Sequence, residues 1–215
     1  MKLRALLLLC ILLIGGTARA DDYPSKSIRL IVPFAAGGAV GAVARVLSNP
    51  LSQSLGQSIV IDNRGGAGGI IGMDAVAKAP PDGYTLLLIH SGITYMPGLY
   101  RKLPFDPSAD FDGIIAAVSG SYVLAVTNSA PFKTVAELIS YAKANPGKLS
   151  YGSAGIGSTL HLATEFFKRE AGIDMIHVPY KGASQATTDL VGGQIQVMIG
   201  PAVSIMPLAR AGNVR

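Results

Sequence analysis

Four times in this chain a short apolar run gives way to a glycine-rich turn and then to a stretch of helical spacing, and that repeated order is its strongest constraint. "IRLIVP" (28–33) leads through "FAAGGA" into an apolar pattern over 39–55. "SIVID" (58–62) leads through "NRGGAGG" (63–69) into an Ala-rich helix to about Lys78. "LSYGS" (149–153) and "MIHVP" (175–179) do the same ahead of helices over 158–171 and up to Gly192-Gly193. Strands that are apolar throughout and alternate with helices predict parallel sheets covered on both faces. Further strands are expected at "YTLLLIH" (84–90), as a buried strand after the turn "PPDG", at "YVLAVT" (122–127) and at "IQVMIG" (195–200). A helix over 134–144 opens with Thr134 and Glu137 spaced as a capping box and is stopped by "NPG" (145–147). Pro50 is expected to kink or split the first helix at Asn49. The segment 91–112, with Pro97, Pro104 and Pro107, reads as an irregular connection between two α/β lobes, 21–120 and 121–215. Ligands of open α/β sheets sit beyond the carboxyl ends of the strands, so two facing lobes would line one cleft.

The first twenty residues read as a secretory signal peptide. Lys2 and Arg4 make a basic start, 6–14 an apolar run too short for a permanent anchor, and Ala18-Arg19-Ala20 a cleavage site. Cleavage after Ala20 would remove Cys10, the only cysteine, and with it disulfides, thiol nucleophiles and thiolate metal sites. It would also take Lys2, Arg4 and Arg19, lowering the formal charge from +5 to +2. No Lys/Arg run follows, so a nucleic-acid partner is not expected.

The turns favour anion binding over catalysis. Helix N-termini present unpaired N–H groups and a partial positive charge, and Gly37, Gly38, Gly68, Gly69 and Gly155 would let a ligand oxygen approach the backbone closely. Ser153, Ser158 and Thr159 could add neutral hydroxyl donors, although Ser158 or Thr159 also suits a helix N-cap. "GSAGIGST" (152–159) has the outline of a phosphate-binding loop, but Ser158 stands where that loop needs Lys. Gly66, Gly68 and Gly72 come near a dinucleotide fingerprint, yet the next strand ends at His90 and not at an acid. Ser140 and Lys143 form S-x-x-K inside a predicted helix, where exposed surface is the simpler reading. His90, His161 and His177 lack metal-like spacing. His161 reads as helix surface or cleft wall, and His177 as a satisfied strand histidine. No metal, cofactor or catalytic residue is expected. An exported α/β hydrolase or transferase built on Ser153–Thr159 is the alternative from another class, and a non-functional remnant a third.

At "IRLIVPFAAGGA", "DNRGGAGGIIG", "DGYTLLL", "NPGKLSYGSAGIGSTLHLA" and "HVPYKGASQATTDLVGGQIQ" the chain resembles the Bug (TctC-type) family, periplasmic substrate-binding proteins of tripartite tricarboxylate transporters. The resemblance runs from Tyr23 to the end. It implies a two-lobed, type II-like periplasmic binding fold, each lobe a mainly parallel sheet flanked by helices, that closes on a small carboxylate. By position, solute binding falls to Phe34, Ala36, Gly37, Gly38, Ala67, Gly68, Ser91, Ser153, Gly155, Ser158, Thr159, Tyr180 and Lys181. The implied partners are a carboxylate solute and membrane permease subunits, with the receptor itself a monomer. Citrate, dicarboxylates, acidic amino acids and aromatic acids all stay open as the solute. Gly41 replaces a common family Asp and Gly65 a common Pro. The family also runs roughly a hundred residues further, so the second lobe and a return to the first are expected to be incomplete here, leaving a sheet edge uncovered.

Overall fold

The computed structural model describes residues 23–215, so the proposed signal segment, with Cys10, lies outside the described residues. The chain forms two sheets in sequence order. The first joins β1 (Ile28–Val32), β2 (Ile59–Asn63) and β3 (Thr85–Leu87) in the order β2-β1-β3, all parallel. Its central strand explains the continuous apolar run: Ile28, Leu30, Ile31 and Val32 are all buried. Leu30 and Val32 pack with Ala44 of helix α1 (Ala39–Leu55). Half-buried Leu87 and Ile89 instead meet Met73 of α2 (Ile70–Ala77) and Met96 of the short α3 (Met96–Leu99).

The second sheet has the order β4-β7-β5-β6, from β4 (Tyr122–Val126), β5 (Ser150–Ser153), β6 (Ile176–Pro179) and β7 (Val197–Pro201). β5 runs parallel to β6 and β7, and β4 antiparallel to β7. Helices α4 (Val135–Ala144) and α5 (Thr159–Ala171) bring Leu138, Ala142 and Phe167 to one core. Helices α6 (Ala183–Val191) and α7 (Ala202–Arg210) bring Ala186, Leu190 and Ile205 to another. Phe34, from the first lobe, packs into that second core. The architecture is therefore bilobed, with each sheet covered by helices.

Local expectations fail in four places. Pro50 does not split α1, which runs unbroken from Ala39 to Leu55; the carbonyl it leaves unpaired belongs to Val46, which is 74% exposed, so water can satisfy it. The predicted buried strand 84–90 shortens to Thr85–Leu87 and is half-buried throughout, because it is an edge paired only with β1. Within 91–112 the chain is partly ordered, with a 3-10 turn (Ser91–Tyr95) and α3, whose Met96 is fully buried. The capping box is half formed: Thr134 accepts from the Glu137 amide, but Glu137 reaches the Lys133 amide and not that of Thr134.

Candidate functional site

All four glycine turns lie at the carboxyl ends of their strands and meet along one seam between the lobes. In the first, Gly37 has φ +87° and Gly38 is an N-cap without a side-chain hydrogen bond, so the opening amides of α1 have no side-chain acceptor. The second keeps a left-handed path through Gly66, Ala67, Gly68 and Gly69, and the Asn63 side-chain Nδ2 ties it to the first by donating to the Phe34 carbonyl at 3.0 Å. The third carries Gly155 at φ +111° and Gly157 at +78°. The fourth starts α6 at Gly182, again without a side-chain cap. None of α1, α2, α5 or α6 has an acidic residue in its first turn, which leaves the positive ends of their dipoles unopposed.

The contacts across the seam are short, and three of them end on a backbone carbonyl. The Ala35 amide donates to the Lys181 carbonyl at 3.3 Å and the Ser184 hydroxyl to the Ala36 carbonyl at 2.9 Å. Tyr100 donates to the Ile156 carbonyl at 2.9 Å. Gly68 approaches so closely that a Cβ there would lie 2.3 Å from the Ile156 oxygen. Along the seam a cavity of about 380 Å³ is lined by Gly37, Gly38 and Ala42 from one lobe and Ser184, Thr187, Val203, Ser204, Pro207 and Leu208 from the other. No charged side chain lines it. A cavity of about 400 Å³ around Thr127, Ser129 and Gly193 lies at the opposite end of the second sheet, where β7 begins, away from every glycine turn.

The expected site residues divide by where their polar groups go. Phe34 is buried, Ala36, Gly37, Ala67 and Lys181 are exposed at the seam, and Gly38, Gly68 and Gly155 are buried in it. Ser153 and Ser158 are fully buried, and their hydroxyls are used inside the second lobe. Ser158 caps α5 by accepting from the His161 amide at 3.3 Å. Ser153 accepts from the Gly155 amide at 3.1 Å and stands 2.6 Å from His177 Nε2. Thr159 alone of the three turns towards the first lobe, 3.0 Å from His90 Nδ1 and 2.7 Å from the Tyr95 hydroxyl. Ser91 is exposed, and its carbonyl accepts from Thr94. The Tyr180 hydroxyl donates to Asp189 at 2.6 Å, and burial, with that bond, pushes its pKa up to about 12. Lys181 meets the other lobe through its carbonyl and not its ammonium.

Behind the third turn lies an arrangement that the spacing of residues does not reveal. His161 and His177 stack with ring centroids 4.2 Å apart, and Tyr151 stacks on His177 at 4.8 Å. His161 Nδ1 accepts from the Gly157 amide at 3.2 Å, so the two rings brace the turn from beneath. Burial, helped by the neighbouring His161, lowers the His177 pKa to about 4, and burial also lowers that of His161. Tyr151 donates to Glu165 at 2.5 Å, and Lys168 completes the group at 2.8 Å from Glu165. Among the described residues no group of three or more His, Cys, Asp or Glu could hold a metal ion, and no helix is long and apolar enough to cross a membrane. Ser140 and Lys143 are both exposed on α4, as surface.

The family described as tripartite tricarboxylate transporter family receptor (TctC) matches residues 43–215. The UPF0065 protein in the tcbD-tcbE intergenic region of Pseudomonas sp. (strain P51) is 43% identical over 186 residues, covering 86% of this chain and 55% of that protein. Two solved structures are similar over 90% of this chain. R. palustris Rpa4515 with adipate has TM-score 0.86 at 41% identity, with 65% of it covered. MatC (Rpa3494) from Rhodopseudomonas palustris with bound malate has TM-score 0.83 at 31% identity, with 66% covered. The chain thus spans between about half and two thirds of the length of these relatives.

Proposed function

The chain belongs to the tripartite tricarboxylate transporter receptor family, and on that premise we propose that it is a periplasmic solute-binding protein that captures a small carboxylate between its lobes and delivers it to membrane permease subunits. One observation carries the reading: four helix starts built from glycine turns converge on one seam with no acidic residue among their first turns. Such a place favours an anion held by neutral donors. Similarity to proteins described with adipate and with malate supports a carboxylate as that anion. In this reading the backbone at Phe34, Ala36, Gly37, Gly38, Ala67 and Gly68 faces the solute from the first lobe, with Ser91 at the rim. From the second, Thr159 steadies the contact between the lobes through its hydroxyl, Ser153, Gly155 and Ser158 shape its turn, and Tyr180 and Lys181 border the entrance. The signal segment is removed after Ala20, and the receptor works as a monomer without a cofactor.

The hydrolase alternative has a Ser–His hydrogen bond to its name, Ser153 with His177, but Ser153 is 0% exposed and hydrogen-bonded to the turn that would have to release it. A nucleophile must reach its substrate. The test is a thermal melt of the mature chain with mono-, di- and tricarboxylates beside ATP. A ligand at about a hundred times its dissociation constant adds roughly 2.7 kcal/mol to the folded state. A rise with one acid and none with ATP supports the proposal; no rise with any acid refutes it.

A further inference from the structure

His90 ends the apolar segment that contains β3 and stands where the first and third turns meet. Its ring stacks on Phe34, centroids 5.0 Å apart and planes 26° apart. Its Nδ1 accepts the Gly92 amide proton at 2.9 Å. A backbone N–H can only donate, so Nδ1 carries no proton of its own. The Thr159 hydroxyl, 3.0 Å from the same nitrogen, must then donate its one proton there, and the Tyr95 hydroxyl at 2.7 Å must donate to Thr159. Burial raises the Tyr95 pKa, which keeps that donor protonated. One amide thereby fixes the direction of a hydrogen-bond chain that crosses the seam.

The ring is neutral near pH 7, because burial lowers its pKa to about 4. A neutral imidazole with a bare Nδ1 has its proton on Nε2. His90 Nε2 is buried and has no hydrogen-bond partner among the described residues. Folded proteins rarely leave a buried donor unmatched, and the ring that carries this one touches Phe34 of the first turn and Thr159 of the third, residues proposed to border the solute.

We infer that His90 is a further solute-contact residue, donating from Nε2–H to an oxygen of the bound acid, with the Gly92 amide fixing its tautomer and Thr159 and Tyr95 as positioning residues that steady the ring. The inference rests on the carboxylate-binding reading above. It also sets a preference. A locked N–H donor pairs with an acceptor oxygen and repels an ammonium, which would bring N–H against N–H, so the solute atom at His90 is an oxygen and not an amine nitrogen.

The test uses the full chain with ¹⁵N-labelled histidine, observed by NMR at pH 7 before and after saturation with an acid drawn from adipate, malate, citrate and benzoate. Calorimetry establishes which of these acids bind. The expected result is one Nε2–H tautomer for His90 in both states, with the Nε2 and attached proton resonances moving on addition of the acid. His90→Phe, which keeps the stack on Phe34, should weaken binding about tenfold or more. His90→Gln, which keeps an N–H donor, should lose less. Binding with an unmoved Nε2 resonance overturns the inference and leaves the carboxylate reading standing. A bare Nε2 overturns it too. No binding by any of the acids overturns the carboxylate reading and this inference with it. Because the resonances are read on the unaltered protein, a variant that fails to fold does not remove the test.

Discussion

Replacing Gly68 by Ala should separate the energetics of closure from those of folding. Two penalties act at this position. The backbone φ of +64° is left-handed, a region that costs an L-residue about 1–2 kcal/mol whether the lobes are open or closed. The added Cβ would also lie 2.3 Å from the Ile156 carbonyl oxygen of the other lobe, against an ordinary separation of about 3.5 Å, so the seam must open by roughly 1 Å. Overpacking of that kind costs about 1–3 kcal/mol and falls on the closed arrangement alone. If the solute binds only when the lobes close, apparent affinity falls by the same factor, about 5- to 150-fold. Gly56→Ala is the control, since Gly56 has φ +67° and a Cβ added there would meet nothing within 4 Å. Both variants should lose a few degrees in a thermal melt. Only Gly68→Ala should lose affinity for an acid measured by calorimetry. Equal affinities for the two variants would refute the claim that this approach of the two turns belongs to the bound state.

Four shorter expectations follow from the same contacts. Gly41→Ala should raise stability by up to about 1 kcal/mol in a melt, because Gly41 lies inside α1 and its nearest neighbours, Arg45 and Asn63, are 3.8 Å from a Cβ; a fall would mean that the helix is more crowded there than the distances say. Ser153→Ala should cost about 1–3 kcal/mol in denaturant unfolding, since it strips the Gly155 amide and His177 of a buried partner, and should alter no esterase activity; turnover abolished by this change would favour the hydrolase instead. Ser184→Ala removes a bond across the seam to Ala36 and should weaken acid binding by about two- to tenfold with little change in the melt. The histidines give stability a pH dependence. His90 and His177 are held near 4 in the fold against an ordinary value near 6.5, so the unfolded chain binds protons first as pH falls through that window. Stability should be full above about pH 6.5 and decline towards pH 4. His177→Gln should flatten the slope, and a melt independent of pH between 4 and 7 would contradict it.

What the sequence made legible follows from which interactions are local. The limits of α1 at 39–55 agree because an amphipathic pattern ends in Gly56, whose left-handed φ is readable from residue type alone. The same holds for the glycine turns: Gly37, Gly68 and Gly155 all have positive φ, a conformation that glycine adopts with least strain. The direction of a hydroxyl is not local. Ser153, Ser158 and Thr159 look interchangeable in "GSAGIGST", yet two turn into their own lobe and one across the seam. The cap that Ser158 makes with the His161 amide is local and legible, but the partners of Ser153 and Thr159, His177 and His90, are set by tertiary position, and nothing in the spacing of those residues announces it.

His90 is the sharpest case. In the sequence it stands out only as a strand end that lacks the acid of a nucleotide site, and family position points to Ser91 instead. In the structure the exposed Ser91 makes only a local turn, while His90 reaches Thr159, 69 residues away. The physical cause is the 3-10 turn that follows: the Gly92 amide holds the ring by Nδ1, and Phe34 supports one face of it. A Cβ at residue 92 would lie 2.3 Å from His90 Cε1, so the small residue is what lets the ring fold back over its own backbone. Gly92, two residues after His90, thus gives room for a side chain to cap the next turn and not only freedom for the chain to bend.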